Sequence, residues 1–541
     1  MRVLIALLSI LVGSVGGMWA DEHHHALTEK EVGSVHFETS CSAEVQTTFQ
    51  RAVALLHSFQ YEESRGTFED VAKRDPGCAM AQWGVAMTYY HGLWHNGDTT
   101  AGREVLHRAQ DMAAHNPRTT DREHAYIDAL AEVYKEDGKD EYTHAQAFEQ
   151  KMGTVHAAYP DDSEATIFYA LSLDITAPKT DKTFGNQRKC GEILEPIFAQ
   201  QPNHPGVAHY IIHCYDNPVL AEKGLGAARK YAAIAPNSAH ANHMPSHIFT
   251  RVGSWDESIL SNLRSAELAA HAEASSLNGE ARDQRLHAMD YLEYAYLQRG
   301  RVRDAQSILN EMNSLPIVSG LTLTGDYAHA AVPARYTLEL SKWADAAALR
   351  PVPKSVPWAE AITWMAVGIG AARSENLVRA AEAEKNLALL RDTAQPKNVY
   401  WSNQIEVQRR EVAAWIAHAS GKYDDALTGM KSATALEESM DKDPVTPGAV
   451  VPARELLAQL LQAQGKSKDA LVEYQTVLKT APNRFNALWG AANCAESIGD
   501  ANAMSKYYQK LLEVGVGSER AELETARKKA KLIAQASAFK K

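Results

Sequence analysis

The sequence predicts an all-α fold, a superhelical solenoid of antiparallel helix pairs, on three observations. Apolar residues recur at three- and four-residue spacing from about Cys41 almost to the end of the chain, with no convincing alternating strand. A 34-residue interval separates Gly465 from Gly499, Tyr474 from Tyr508 and Val477 from Leu511. The same 34-residue interval separates His209 from His243 and His213 from His247, far from that C-terminal register. A fixed period of this length marks a helix-turn-helix unit that buries its apolar face only by stacking on its neighbours. With 541 residues, 45% of them hydrophobic, the chain has enough apolar material for one continuous core. Its net charge of −12 leaves no basic stripe for phosphates, so a nucleic-acid partner is not expected.

Taken in order, residues 1–20 have a basic start at Arg2, an apolar run from Val3 to Val12 and small residues leading to Ala20, the pattern of a signal peptide. The run is too short to span a bilayer, so the expectation is a periodic-repeat protein that is periplasmic or secreted, without stable membrane insertion. Residues 21–44 read as a flexible N-terminal extension. Cleavage after Ala20 would leave an amine, two amides and the His23 imidazole, a nitrogen set suited to Cu(II) or Ni(II); the plainer reading is a flexible polar terminus. Five cysteines remain, Cys41, Cys78, Cys190, Cys214 and Cys494, an odd number with neither a disulfide framework nor zinc spacing. They read as small buried side chains with one or two bridges.

The solenoid is expected over 45–515. Residues 45–76 form a helix, a turn near Gln60 and a second helix closed by Asp75-Pro76. His91 and His95 follow, four apart, before a helix end at Asn96-Gly97-Asp98, and read as a local surface pair. Residues 205–250 carry His-x-x-x-His twice. Beyond them the period is broken by insertions, among them the loop at 439–452. A three-proline connector near 350–358 is a place for a bend, and the amphipathic, basic segment 516–541 reads as a C-terminal capping helix and tail.

Gly465, Ala470, Tyr474 and Pro482 stand in a pattern that resembles the tetratricopeptide-repeat family, with weaker matches at Gly253-Ser258, Gly300-Ala305, Ser341-Ala346 and Gly421-Ala426. The resemblance covers most of 45–515. It implies that positions 2, 5, 9 and 12 of each unit's first helix line a concave groove. Counting the turn residue as position 15 then puts His209, His213 and Asp216 in one unit and His240, His243 and His247 in the next. The following unit contributes His287, Asp290 and Tyr294, and Arg335 falls at position 9 of the one after. The segments GVAHYIIH at 206–213 and HMPSHIF at 243–249 also resemble a group of bacterial secreted or periplasmic proteins of this family.

Residues four apart share one helix face, so each histidine pair can bind one cation, and the repeat stacks the pairs. His209, His213, His243 and His247 are therefore the expected metal ligands, with Asp216, His240, His287, Asp290 and Tyr294 around them as groove or supporting residues. Nitrogen-rich ligation suits a transition metal ion, zinc or copper before others. The competing reading is a polar groove whose histidines hydrogen-bond one another or bind an organic anion when protonated. Pro245 lies inside the pattern, and a helix that begins there would change the spacing of His243 and His247. No phosphate loop, Gly-x-Ser-x-Gly elbow or His-Glu-x-x-His helix is present. The functional expectation is an exported repeat protein holding a transition metal, either as a metal-dependent enzyme acting on a small ligand or as a metal carrier. The alternative is a scaffold whose groove receives a peptide or partner protein.

Overall fold

The computed structural model describes residues 29–94, 97–273, 279–316 and 323–538. The signal-peptide segment, His23 and His95 lie outside the described residues. Helices follow one another as hairpins from Gln46–His57 and Tyr61–Arg74 to Phe485–Ser497 and Ala501–Val514, and Ala521–Ala538 closes the stack. No strand occurs among the described residues. The protein is an all-α solenoid of tetratricopeptide type, and its turn chemistry shows why. Gly253, Gly300, Gly421, Gly465 and Gly499 all have positive φ at the hairpin turn, and Ser341 takes the same conformation. At Gly253 a side chain is excluded twice over, since a Cβ would strike the Pro482 carbonyl. Five residues after four of these turns, Ala305, Ala346, Ala426 and Ala470 are fully buried where the two helices cross closely.

Residues 29–44 correct the expected flexible extension. Phe37 is fully buried against Phe49, Trp83 and Tyr126, and the Ser34 N–H donates to the Asn203 carbonyl at 3.0 Å. A disulfide joins Cys41 to Cys78 and another joins Cys190 to Cys214, while Cys494 is buried and free. Near 350–358 the chain is non-helical, but the helix Pro357–Arg373 packs on both Leu323–Glu339 and Trp343–Ala348, so the core runs through the connector.

Among the described residues two hydrophobic cores form, one from Val32 to Phe249 and one from Trp255 to Ala526. The histidine-bearing helices lie at their seam. The solenoid also curls back on itself: the Trp255 indole donates to the Asn483 carbonyl at 2.9 Å, and Arg484 donates to the Tyr294 hydroxyl at 2.8 Å. The inserted loop 439–452 enters the concave side, where the Asp441 N–H donates to the Lys179 carbonyl at 2.7 Å.

Candidate metal centre

The helix Pro205–Tyr215 starts where its sequence says it should. Pro205 occupies the first turn, and the His204 Nδ1 caps it by accepting from the Val207 N–H at 3.3 Å. His209 and His213 then emerge one turn apart. In the next unit, Ala239–His243 and Pro245–Val252 are joined by Met244, whose φ of −52° and ψ of −37° remain helical. Pro245 thus removes a hydrogen bond without turning the chain, and His243 Nε2 still meets His247 Nε2 at 2.9 Å. His287 arrives from the helix Glu280–Gln298.

Six imidazoles converge as two triads. The ligand atoms of His209, His213 and His240 lie within 4.8 Å of one another, and so do those of His243, His247 and His287. His209 Nε2 sits 3.1 Å from His213 Nε2 and 3.0 Å from His240 Nε2. The triads adjoin, with ring centroids of His213 and His247 6.2 Å apart and those of His240 and His243 6.4 Å apart. All six rings are buried, none more than 7% exposed, so this is a buried cluster rather than the open groove that the repeat register implies. Phe59 and Trp94 wall the first triad, and Tyr291 walls the second.

Hydrogen bonds fix the protons on three of these rings. His209 Nδ1 faces the His57 carbonyl at 2.7 Å, an acceptor only, so Nδ1 carries the hydrogen and Nε2 is bare. His247 Nδ1 donates to Asp216 Oδ2 at 2.8 Å. His243 Nδ1 donates to Asn262 Oδ1 at 2.6 Å; Asn262 cannot be reversed, because its Nδ2 donates to the Ser258 carbonyl at 2.8 Å. His243 and His247 therefore turn two bare lone pairs on each other at 2.9 Å. A proton between them would relieve the contact, but burial lowers the pKa of both rings, helped at His243 by His247 and at His247 by Lys442 and Arg251. The His287 Nε2 completes this triad, buried without a partner. A cation with nitrogen ligands satisfies all three.

Asp216 is the charged hub beside the second triad. Burial alone would raise its pKa, yet Lys442 and Arg251, helped by the His247 N–H, hold the carboxyl well below the usual range. Lys442 Nζ lies 2.6 Å from Asp216 Oδ2, and Arg251 Nε 2.9 Å from Oδ1. A small cavity of about 60 Å³, lined by His213, Asp216, Asn217 and Lys442 among others, reaches the first triad from this side.

A third cluster, His57, Glu164 and His204, has the composition of a metal site but not its tautomers. His204 Nδ1 is an acceptor, so its Nε2 donates to Glu164 Oε1 at 2.7 Å. His57 Nε2 donates to Glu164 Oε2 at 2.8 Å, and its Nδ1 accepts from the Tyr210 hydroxyl at 2.9 Å. Burial would raise the Glu164 pKa, but the two imidazoles bring it down to about 2. Every ring nitrogen is used, and the cluster serves to hold the His57 carbonyl that orients His209.

Of the residues expected from sequence, the six histidines come together and Asp216 touches His247. Asp290 and Tyr294 do not join them. Asp290 Oδ1 pairs with Arg335 of the following unit at 2.6 Å, and the Tyr294 hydroxyl accepts from Arg484 of the C-terminal units, so both belong to buried arginine networks. Their neighbour Tyr291 turns to the cluster instead, its hydroxyl 3.3 Å from His247 Nδ1 and donating to the Thr446 carbonyl at 3.0 Å. His91 stacks on Tyr61 outside the cluster. Sequence reasoning missed His57, Asn262, Tyr291 and Lys442. Asn262 and Tyr291 share helices with recognised features, whereas no periodicity points to Lys442 in its inserted loop.

No family model matches the chain, and no curated protein does. Among solved structures it is similar to the human IFIT1 dimer with m7Gppp-AAAA, at a TM-score of 0.35 and 10% identity over 85% of this chain and 90% of that one. It is similar also to yeast Tom70, at a TM-score of 0.33 and 11% identity over 91% of this chain and 96% of that one. The chemistry of the chamber stands on its own geometry.

Proposed function

We propose that this chain is an exported metalloprotein of the tetratricopeptide type whose two histidine triads hold a pair of transition-metal ions, three imidazole nitrogens to each. The observation that carries the reading is the contact of two bare Nε2 lone pairs between His243 and His247 at 2.9 Å, inside a set of three ligand atoms within 4.8 Å. Three protein ligands with an open position is the pattern of a reactive rather than a closed structural site. Burial keeps the imidazoles neutral, the form that binds metal.

Copper fits this donor set best. No carboxylate or thiolate takes part in either triad, and the charge of Asp216 is already balanced by Arg251 and Lys442. Two divalent ions would bury a large uncompensated charge, whereas two copper(I) ions bury half of it. Held by the two triads, a copper(I) pair would supply two-electron chemistry toward a small acceptor, which favours a redox enzyme over a carrier. The two disulfides and the signal-like N-terminal sequence support an oxidising compartment, periplasmic or extracellular.

The test is elemental analysis of untagged, chelator-free protein. The expected result is about two copper equivalents per chain, near zero in His209→Ala/His243→Ala, and about one in His287→Ala. Zinc at the same stoichiometry would keep the site and overturn the metal assignment. Equal, trace metal in all three proteins would overturn the site, and undiminished capture of a partner protein by the double variant would then favour a scaffold.

A further inference from the structure

The concave side of the C-terminal half holds a second feature, a cavity of about 540 Å³, within the range of small-molecule sites. Its floor is aromatic: Trp358 and Trp401 stack with ring centroids 5.6 Å apart and planes 15° apart. Loop 439–452 forms one wall, so Lys442 and Thr446 face both this cavity and the histidine chamber.

The charges lining the cavity are unequally satisfied. Its cations are taken: Arg251 and Lys442 pair with Asp216, Arg454 with Glu438 and Glu473, and Lys182 donates to the Met440 carbonyl. Two of its acids are not. Glu411, 1% exposed, has Oε2 buried with no hydrogen-bond partner, and Glu437 accepts from the Ala453 N–H without a cation. Gln408 Oε1 is a further buried acceptor without a partner, and the Trp358 N–H is a donor without one. Burial, followed by the charge of the neighbouring acid, raises the Glu411 carboxyl, and burial raises Glu437 to about 7. Two such carboxyls resist carrying charge together until a cation lies beside them.

We propose that this cavity binds a small arylalkylamine, its ammonium group between Glu411 and Glu437 and its ring on Trp358 and Trp401. Unpaired buried acceptors supply the charge-assisted hydrogen bonds, and the indole faces supply both apolar contact and attraction for the cation. The free indole N–H suits an acceptor such as a phenol oxygen at the far end of the ligand. This inference does not rest on the metal reading, and it is tested on chelator-treated as well as metal-loaded protein so that the two fail separately.

The experiment titrates the full chain with tyramine, 4-ethylphenol and 3-(4-hydroxyphenyl)propionate, which share one ring and differ in charge, and reads heat and tryptophan fluorescence. Tyramine should bind saturably and the carboxylate at least tenfold more weakly. Glu411→Gln, verified as folded by circular dichroism, should weaken tyramine about 10- to 100-fold and 4-ethylphenol little. Trp358→Phe, which keeps an aromatic face and removes the N–H, should weaken tyramine and 4-ethylphenol alike. No tyramine binding by wild type, equal binding of amine and carboxylate, or unchanged tyramine affinity in Glu411→Gln would each overturn the proposal.

Discussion

Single acceptors decide the chemistry of the histidine chamber, because each imidazole presents a bare Nε2 only while Nδ1 has somewhere to send its hydrogen. Asn262 does this for His243 and has no second ligand to serve. Asn262→Leu should therefore lower metal affinity of the second triad about 10- to 100-fold, as loss of an orienting partner does. The first triad, oriented by the His57 carbonyl, should stay loaded, which competition with a graded chelator would read as one weak and one tight equivalent. Phe59 shows a different residue-scale compromise. It occupies the left-handed turn conformation, with φ of 54°, that later units give to glycine, and its ring packs on His209, His213 and His240. A bulky residue there carries backbone strain on the order of 1–3 kcal/mol. Phe59→Gly should relieve the turn yet open the chamber, so that a membrane-impermeant copper(I) chelator strips the first triad faster than in wild type.

At the scale of elements, the helices were legible and the loop was not. The 34-residue spacing puts His213 beside His247 because stacked units repeat their geometry, and the same register brings in His240 and His287, although His209 meets His240 rather than its equivalent His243. It failed by about 100° of helix rotation at Asp290, since Tyr291 faces the cluster while Asp290 answers Arg335. Position within a repeat sets the exposed face, but a buried arginine on the next helix decides which neighbour turns toward it. Residues 29–44 misled for another reason: a short apolar segment without helical period resembles a tail until partners such as Trp83 and Tyr126 surround Phe37. Loop 439–452 interrupts the period and so looked like an insertion, yet it delivers Lys442 to Asp216 and the Thr446 carbonyl to Tyr291. Lys442→Ala should release this strap. Asp216 would keep Arg251 but lose its closest cation, a destabilising change for a buried carboxylate. Amide exchange across 439–452 should rise well above that of the adjoining helices Tyr423–Glu438 and Ala453–Ala463.

Over the whole molecule, charge burial both closes the solenoid and strains it. Arg484 is fully buried and reaches Glu455, Glu339 and Tyr294, tying the C-terminal units to the middle of the chain. Arg484→Met would leave Glu339 and Glu455 uncompensated and should destabilise the protein by about 3–5 kcal/mol. Glu411 and Glu437 have no such partner, and their linkage to pH runs opposite to that of a salt-bridged acid. Burial raises the Glu437 carboxyl from an ordinary 4.5 to about 7, and raises Glu411 as well. An acid with a raised folded pKa contributes stability that is complete below its unfolded pKa and is lost as pH rises through the folded one. The protein should accordingly lose stability through this pair as pH rises from 4.5 to 8. Glu411→Gln/Glu437→Gln keeps the shape and removes the titration, so its melting temperature should exceed that of wild type at pH 8 and match it near pH 4.5. Tyramine at saturating concentration should raise the wild-type melting temperature at pH 8, where the acids are charged, and leave the double variant unmoved. Thermal melts at the two pH values, with and without the amine, read both effects; equal melting temperatures of wild type and variant at pH 8 would show that the pair is not strained. An acidic pair that lowers stability in the absence of a cation has its compensation in binding one.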